Sequence, residues 1–293
     1  MAQDKACLQT YLSLIQSGAE RLKASQIETP YREARLIMRL AAGLTYSELI
    51  AQELEALENP AIEARYEALI ARRADHEPFA YLSGQQEFYG FSYLSDPRAL
   101  IPRADSECLI ELIEEIFPDQ DQPLTVADLG TGSGCLLISL LNIYTKAVGI
   151  AVEKDADALA LAKENSVLHR MRARLQFCHM DWAEWTGWDQ LDLIISNPPY
   201  IKGAEIDTLP RSVRDYEPRQ ALDGGADGLE AYREIINLCH VSLKPGAWLV
   251  FEVGHDQSAC ISKLLEGQGF HSIRVRKDLA GHERAVAACK TAT

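Results

Sequence analysis

Leu124-Thr-Val-Ala-Asp-Leu-Gly-Thr-Gly-Ser-Gly134 runs from an apolar stretch straight into three alternating glycines. A strand that ends in such a loop and passes into a helix opens an α/β sheet, because glycine lets the backbone turn tightly and approach a ligand closely. The chain downstream repeats the alternation. Strands are predicted at residues 124–129, 147–152, 175–178, 191–196, 248–253, 273–276 and 285–288. Helices are predicted at residues 135–144, 156–169, 229–242 and 257–267. The link between the last two strands is too short for a helical crossover, so that pair is expected to be antiparallel. The fold class that follows is α/β: a doubly wound sheet of seven strands, mostly parallel, with the last strand pair antiparallel.

Residues 1–76 read differently, as a small N-terminal helical bundle. Tyr11, Leu12, Leu14 and Ile15 start one amphipathic helix; Pro30–Ala42 forms a second, ending near Gly43. Thr45 begins a short third helix, and Pro60–Arg73 a fourth. With no phosphate loop or nucleophile motif, this bundle suits a substrate-positioning role. Residues 77–99 are expected to form a β-hairpin linker, from the aromatic, glycine-punctuated run Tyr81–Leu94. Residues 100–293 form the catalytic domain, whose first helix reaches Phe117 behind a cap at Asp105 or Ser106.

The composition, 47% hydrophobic and 25% charged, is that of a soluble globular protein. No apolar stretch is long enough to cross a bilayer, and the first residues carry no signal-peptide pattern, so no membrane association and a cytoplasmic location are expected. Seven scattered cysteines (Cys7, Cys108, Cys135, Cys178, Cys239, Cys260, Cys289) lack C-x-x-C spacing. They suggest neither disulfides nor a metal site, and most are expected to pack as small hydrophobes. A net charge of −14 argues against a nucleic-acid partner, since phosphate neutralisation supplies much of that affinity.

The glycine loop, Gly130, Thr131, Gly132, Ser133 and Gly134, suits a nucleotide-like cofactor. Glu153 ends the next strand, the place where a carboxylate accepts from ribose hydroxyls. The third strand ends at Asp181 and Trp182, which offer an acceptor for an adenine amino group and a flat face for its ring. These features alone also suit NAD. Asn197-Pro-Pro-Tyr200, straight after the fourth strand, decides otherwise. The Asn197 side-chain carbonyl and the Pro198 backbone carbonyl, held rigid by consecutive prolines, can grip both hydrogens of a planar NH₂ group. Tyr200 can cover its face, and Pro199 belongs to the same substrate contact, while Asn197 also borders the cofactor. The pair points to S-adenosylmethionine and to methyl transfer onto an amide or amine nitrogen. Asn197, Pro198 and Tyr200 are the catalytic candidates.

From Glu77 onward the chain resembles the peptide chain release factor glutamine methyltransferase family, of HemK/PrmC type, which is built on the class I S-adenosylmethionine-dependent methyltransferase sheet. The matching segments include Leu100-Ile-Pro-Arg-Ala-Asp-Ser-Glu107, Asp128–Gly134, Asp181-Trp182, Ser196–Ile201, Tyr216–Leu229 and Glu252-Val-Gly254. Ala104, Ser106, Cys135 and Ala247 stand where the family more often has Pro, Thr, Ala and Gly. The resemblance implies N5-methylation of the glutamine in the Gly-Gly-Gln motif of class 1 release factors. It assigns Gly130–Gly134, Glu153 and Trp182 to the cofactor and Asn197–Tyr200 to the substrate. An adenine-N6 methyltransferase acting on DNA or RNA is the alternative, because an exocyclic amine offers the same two hydrogens. A non-catalytic cofactor-binding scaffold is the third.

Overall fold

The structure is a computed structural model and describes residues 9–291. It contains two compact units, one ending at Ser83 and the other beginning at Gly84.

The first unit consists of α1 (Tyr11–Ala24), α2 (Pro30–Ala42), α3 (Tyr46–Gln52), α4 (Pro60–Ala74) and α5 (Phe79–Ser83). Each of the first four starts on a local signal. Thr10 with Ser13 and Thr45 with Glu48 form capping boxes on α1 and α3. Pro30 occupies the first turn of α2, and the Asn59 side chain accepts from the Ala61 amide at the head of α4. The apolar faces meet around Leu14, Ile15, Leu22, Ile37, Met38 and Ile70. Tyr66 is fully buried among them, and its hydroxyl donates to the Leu14 carbonyl at 3.2 Å. Tyr81–Ser83, expected as strand, is helical instead. The Pro78 carbonyl accepts from the amides of Tyr81 and Leu82 at 3.0 and 3.2 Å, so this local turn satisfies them without a partner strand.

In the second unit, β1 (Gln85–Phe88) and β2 (Phe91–Leu94) form the hairpin. Tyr89 and Gly90 both take positive φ at its tip, as a two-residue turn with the right twist requires. Phe88 and Tyr93 are fully buried in the core of this unit, and the Tyr93 hydroxyl lies 2.6 Å from that of Ser139. After α6 (Glu107–Ile116) come β3 (Thr125–Leu129), α7 (Cys135–Ile143), β4 (Val148–Glu153), α8 (Ala156–Leu168) and β5 (Leu175–His179). Then follow β6 (Leu193–Ser196), α9 (Arg211–Arg214), α10 (Glu230–Ser242), β7 (Trp248–Glu252), α11 (Ser258–Gly267), β8 (Phe270–Lys277) and β9 (Glu283–Lys290).

The sheet order is β5-β4-β3-β6-β7-β9-β8. The first five strands are parallel, and β9 inserts antiparallel between β7 and β8. The antiparallel end pair is therefore as expected. The chain winds from β3 out to β5 and returns to place β6 beside β3, so the crevice at the strand ends opens next to β3. Helices α6 and α7 cover one face through Ile110, Ile113, Leu137 and Leu141. Helices α10 and α11 cover the other through Ile235, Ile236, Ile261 and Leu265.

Two local expectations change. Neither Asp105 nor Ser106 caps α6 through its side chain: a short 3₁₀ turn, Ala104–Ser106, leads into the helix instead. The last two strands are longer than predicted. β8 is an edge strand whose polar His271 and charged Arg274 and Lys277 break the apolar pattern, as edge strands do. Cys108, Cys178, Cys239 and Cys289 are buried as expected, but Cys135 is half-buried and Cys260 exposed. Cys7 lies outside the described residues.

Candidate active site

The strand ends of β3, β4 and β6 open into a cleft. Its floor is the glycine loop. The amides of Gly130 and Thr131 donate to the Val152 carbonyl at 2.9 and 3.2 Å, and the Gly132 amide donates to Glu153 Oε2 at 3.0 Å. Gly130 has φ +73°, and an added Cβ would meet the Trp182 ring at 3.4 Å. The position thus needs glycine for its backbone, while the Trp182 ring lies above it in ordinary contact. Glu153 Oε1 accepts in turn from the Asp155 amide at 3.0 Å. One carboxylate therefore pins the loop to the head of α8.

Asp128 sits beneath the loop, 1% exposed. The Thr131 hydroxyl donates to its Oδ2 at 2.7 Å, while the buried Oδ1 has no partner among the described residues. Burial pushes its carboxyl up to about 7, against the pull of Thr131 and with a further push from the Glu153 charge. A carboxyl raised in the folded state stabilises the fold fully below its unfolded pKa, and that contribution disappears as pH rises through the folded value. Cofactor-free protein should thus lose stability between about pH 5 and about pH 8, by on the order of 3 kcal/mol from this group. Denaturant titrations at both pH values check this: Asp128→Asn should remove that part of the slope, and an unchanged slope would contradict it.

Trp182 lines the cleft beside Met180; its indole N–H donates to Glu234 at 2.7 Å, and Lys154 lies 5.8 Å from the ring centre. Asp181, next to it, does not line the cleft. Its Oδ1 accepts from the Ala183 amide at 3.0 Å and closes a turn. Thr131, Ser133, Gly132 and Glu153 do face the cleft.

Strand β6 brings in the second half of the site. The Ser196 hydroxyl donates to the Leu129 carbonyl at 2.7 Å and locks the end of β6 against the start of the glycine loop. Asn197, Pro198 and Pro199 then line the cleft. Among the described residues, neither the Asn197 carboxamide nor the Pro198 carbonyl has a hydrogen-bond partner. Free polar groups beside a packed core are uncommon, and here two acceptors stand on consecutive residues. Tyr200 does not line the cleft, and its hydroxyl donates to Glu252 at 3.2 Å. Burial holds that phenol well above the usual tyrosine range.

The opposite wall comes from the segment that leads into α6. Arg98–Arg103 line it, and the Arg103 guanidinium pairs with Glu217. The Glu217 side chain is 1% exposed and also accepts from the Ile101 amide at 3.1 Å. From the same segment, Gln220 donates to Asp155 at 2.6 Å, so the chain after Tyr200 folds back across the cleft mouth. Glu217 and Gln220 lie within a run noted for its family pattern, but only their partners give them a task. Glu107, for its part, accepts from the Tyr89 amide at 2.8 Å and stays outside the cleft. Among the described residues no cluster of His, Cys, Asp or Glu could hold a metal ion, and no helix is long and apolar enough to cross a membrane.

Comparison with known proteins places this geometry. Two family profiles match, the PrmC N-terminal domain over residues 13–84 and the methyltransferase small domain over residues 105–213. The release factor glutamine methyltransferase of Caulobacter vibrioides is 36% identical over 274 residues, 94% of each chain. That of Bradyrhizobium diazoefficiens is 38% identical over 276 residues, 93% of this chain and 92% of its own. The hMettl16 catalytic domain, solved with MAT2A 3'UTR hairpin 6, aligns with a TM-score of 0.58 at 18% identity, over 76% of this chain and 81% of that one. The last likeness is one of fold alone. The near full-length identity to enzymes of one kind, on a sheet of the methyltransferase type, establishes that this chain belongs to the release factor glutamine methyltransferase family.

Proposed function

We propose that this chain methylates the side-chain nitrogen of the glutamine in the Gly-Gly-Gln motif of class 1 peptide chain release factors, in the cytoplasm, with S-adenosylmethionine as methyl donor. The observation that carries this reading is the pair of acceptors without partners among the described residues, the Asn197 carboxamide and the Pro198 carbonyl, standing at the cleft beside the glycine loop.

The residues fit the cofactor. Bare loop backbone allows close approach, Asp128 keeps one buried oxygen without a partner among the described residues, and Glu153 has lone pairs left beyond its two backbone bonds. When bound, S-adenosylmethionine supplies an electrophilic methyl group on a sulfonium centre. Glu153 accepts from the ribose hydroxyls, and Trp182 offers its ring face to the adenine. Asn197 and Pro198 accept the two hydrogens of the substrate carboxamide. That grip orients the nitrogen toward the donor and removes much of the entropic barrier. It also favours the polarised amide and stabilises the positive charge that grows on nitrogen. Prolines fix the backbone on either side, so the acceptors need no reorganisation when the charge develops. An N-protonated amide is a strong acid, and water takes its proton.

Glu153→Ala should weaken S-adenosylmethionine binding by about 10²-fold, since two or three hydrogen bonds of ~1 kcal/mol each are lost. Calorimetric titration reads this directly; an unchanged Kd would remove Glu153 from the cofactor site. The activity is tested with radiolabelled S-adenosylmethionine, unmodified release factor, and a release factor whose Gly-Gly-Gln glutamine is replaced by alanine. Label in the first and none in the second is expected. Label entering DNA or RNA instead would favour an adenine methyltransferase, which the net charge of −14 opposes.

A further inference from the structure

Glu252 ends β7 and is 2% exposed, yet no step above uses it. Its Oε1 accepts from the Tyr200 hydroxyl at 3.2 Å, and its Oε2 accepts from the Ser106 hydroxyl. Neither hydroxyl has another partner among the described residues. Its backbone carbonyl is held by the Tyr232 hydroxyl at 2.7 Å. Arg284 lends opposite charge, itself fixed on the Val253 carbonyl at 3.1 Å and on Asp278 at 3.2 Å. Burying a carboxyl is costly, and a well-packed apolar residue in its place is often neutral or better for stability. A structural need alone is a poor reason for an acid here. What the carboxyl does is span two walls: Tyr200 extends the Asn197–Pro199 segment, and Ser106 lines the cleft on the other side.

We propose that Glu252 is a positioning residue: by accepting from Tyr200 and Ser106 together, it fixes the separation of the Tyr200 segment and the 101–106 loop, so the substrate amide meets Asn197 and Pro198 in one orientation. The proposal rests on the methyl-transfer reading above. Burial raises the carboxyl above its ordinary range, and Ser106 and Arg284 pull it back, which fits a group kept for its bonds.

The test uses the full chain with S-adenosylmethionine and unmodified release factor. Tyr200→Phe and Ser106→Ala should each lower kcat about tenfold, with the Kd for S-adenosylmethionine within about twofold. The double variant should fall no further than the weaker single one, because both act through one carboxyl. In a Glu252→Leu background, which leaves neither acceptor, neither change should lower kcat again. Should Glu252→Leu fail to fold, the Tyr200–Ser106 pair still decides. Multiplying effects, or full kcat in Ser106→Ala, would overturn the proposal. A second readout is independent of turnover: ring signals of Tyr200, assigned by their loss in Tyr200→Phe, should shift in cofactor-free Ser106→Ala. Unmoved signals would also sink it. Absence of methylation by the unaltered chain would count against the function alone, since the ring signals test Glu252 separately.

Discussion

Asn197→Ala should lower kcat for release factor methylation by about 10²–10³, by analogy with the loss of one preorganised donor at a charge-developing oxygen. The substitution removes one of two acceptors on the substrate NH₂. The nitrogen then rotates more freely, and its developing charge loses a dipole that needed no rearrangement. Nothing in the fold depends on this carboxamide, since among the described residues it has no hydrogen-bond partner. Thermal stability should therefore hold. The Kd for S-adenosylmethionine should stay within about twofold, because the interaction is realised with the substrate and strengthens in the transition state. Single-turnover rates with calorimetry separate the two quantities. A collapse of cofactor affinity with little change in the rate at saturation would assign Asn197 to the cofactor instead.

Gly228→Ala should do comparable damage from outside the cleft. Gly228 has φ +76°, and a Cβ there would stand 2.4 Å from the Tyr200 carbonyl oxygen and 2.8 Å from Gln257 Nε2. That Nε2 donates to the carbonyls of Tyr200 at 3.0 Å and Gly228 at 3.2 Å, while the Gly254 amide donates to Gln257 Oε1 at 2.9 Å. Alanine thus faces strained backbone and a collision with backbone held from the other side. The two together cost about 2–5 kcal/mol. Whatever relief the chain finds moves Tyr200 and the prolines before it, and a misplacement of ~1 Å costs about 10²-fold in rate. Loss of kcat by that order, a lower melting temperature and S-adenosylmethionine binding within severalfold form the expected pattern. Full activity with an unchanged melting temperature would show that the segment relaxes freely.

Strands β3 to β7 were legible to within about two residues. β3, β6 and β7 are buried on both faces, so each is an apolar run bounded by turn residues, and no partner is needed to recognise it. β8 was not legible at its ends, because an edge strand trades apolar residues for charge. Tyr81–Ser83 misled for the opposite reason: their aromatic character suits a strand, but a local bond to the Pro78 carbonyl settles them as helix.

The sequence by itself determined the sheet, its antiparallel end pair, the glycine loop and the Asn-Pro-Pro-Tyr segment, since each is a contiguous string whose local chemistry suffices. It also carried enough family pattern to name the reaction class. Only the tertiary structure decided what completes the site. Asp181 proved to close a turn, Asp128 to keep an orphaned oxygen beneath the loop, Glu217 to clamp Arg103, and Glu252 to join Tyr200 to Ser106. Ser106 and Glu252 lie 146 positions apart, and Arg103 and Glu217 lie 114 apart. A carboxylate reads the same in a sequence whether solvated or buried; its partner and its exposure, which set its energy, exist only once the chain has folded.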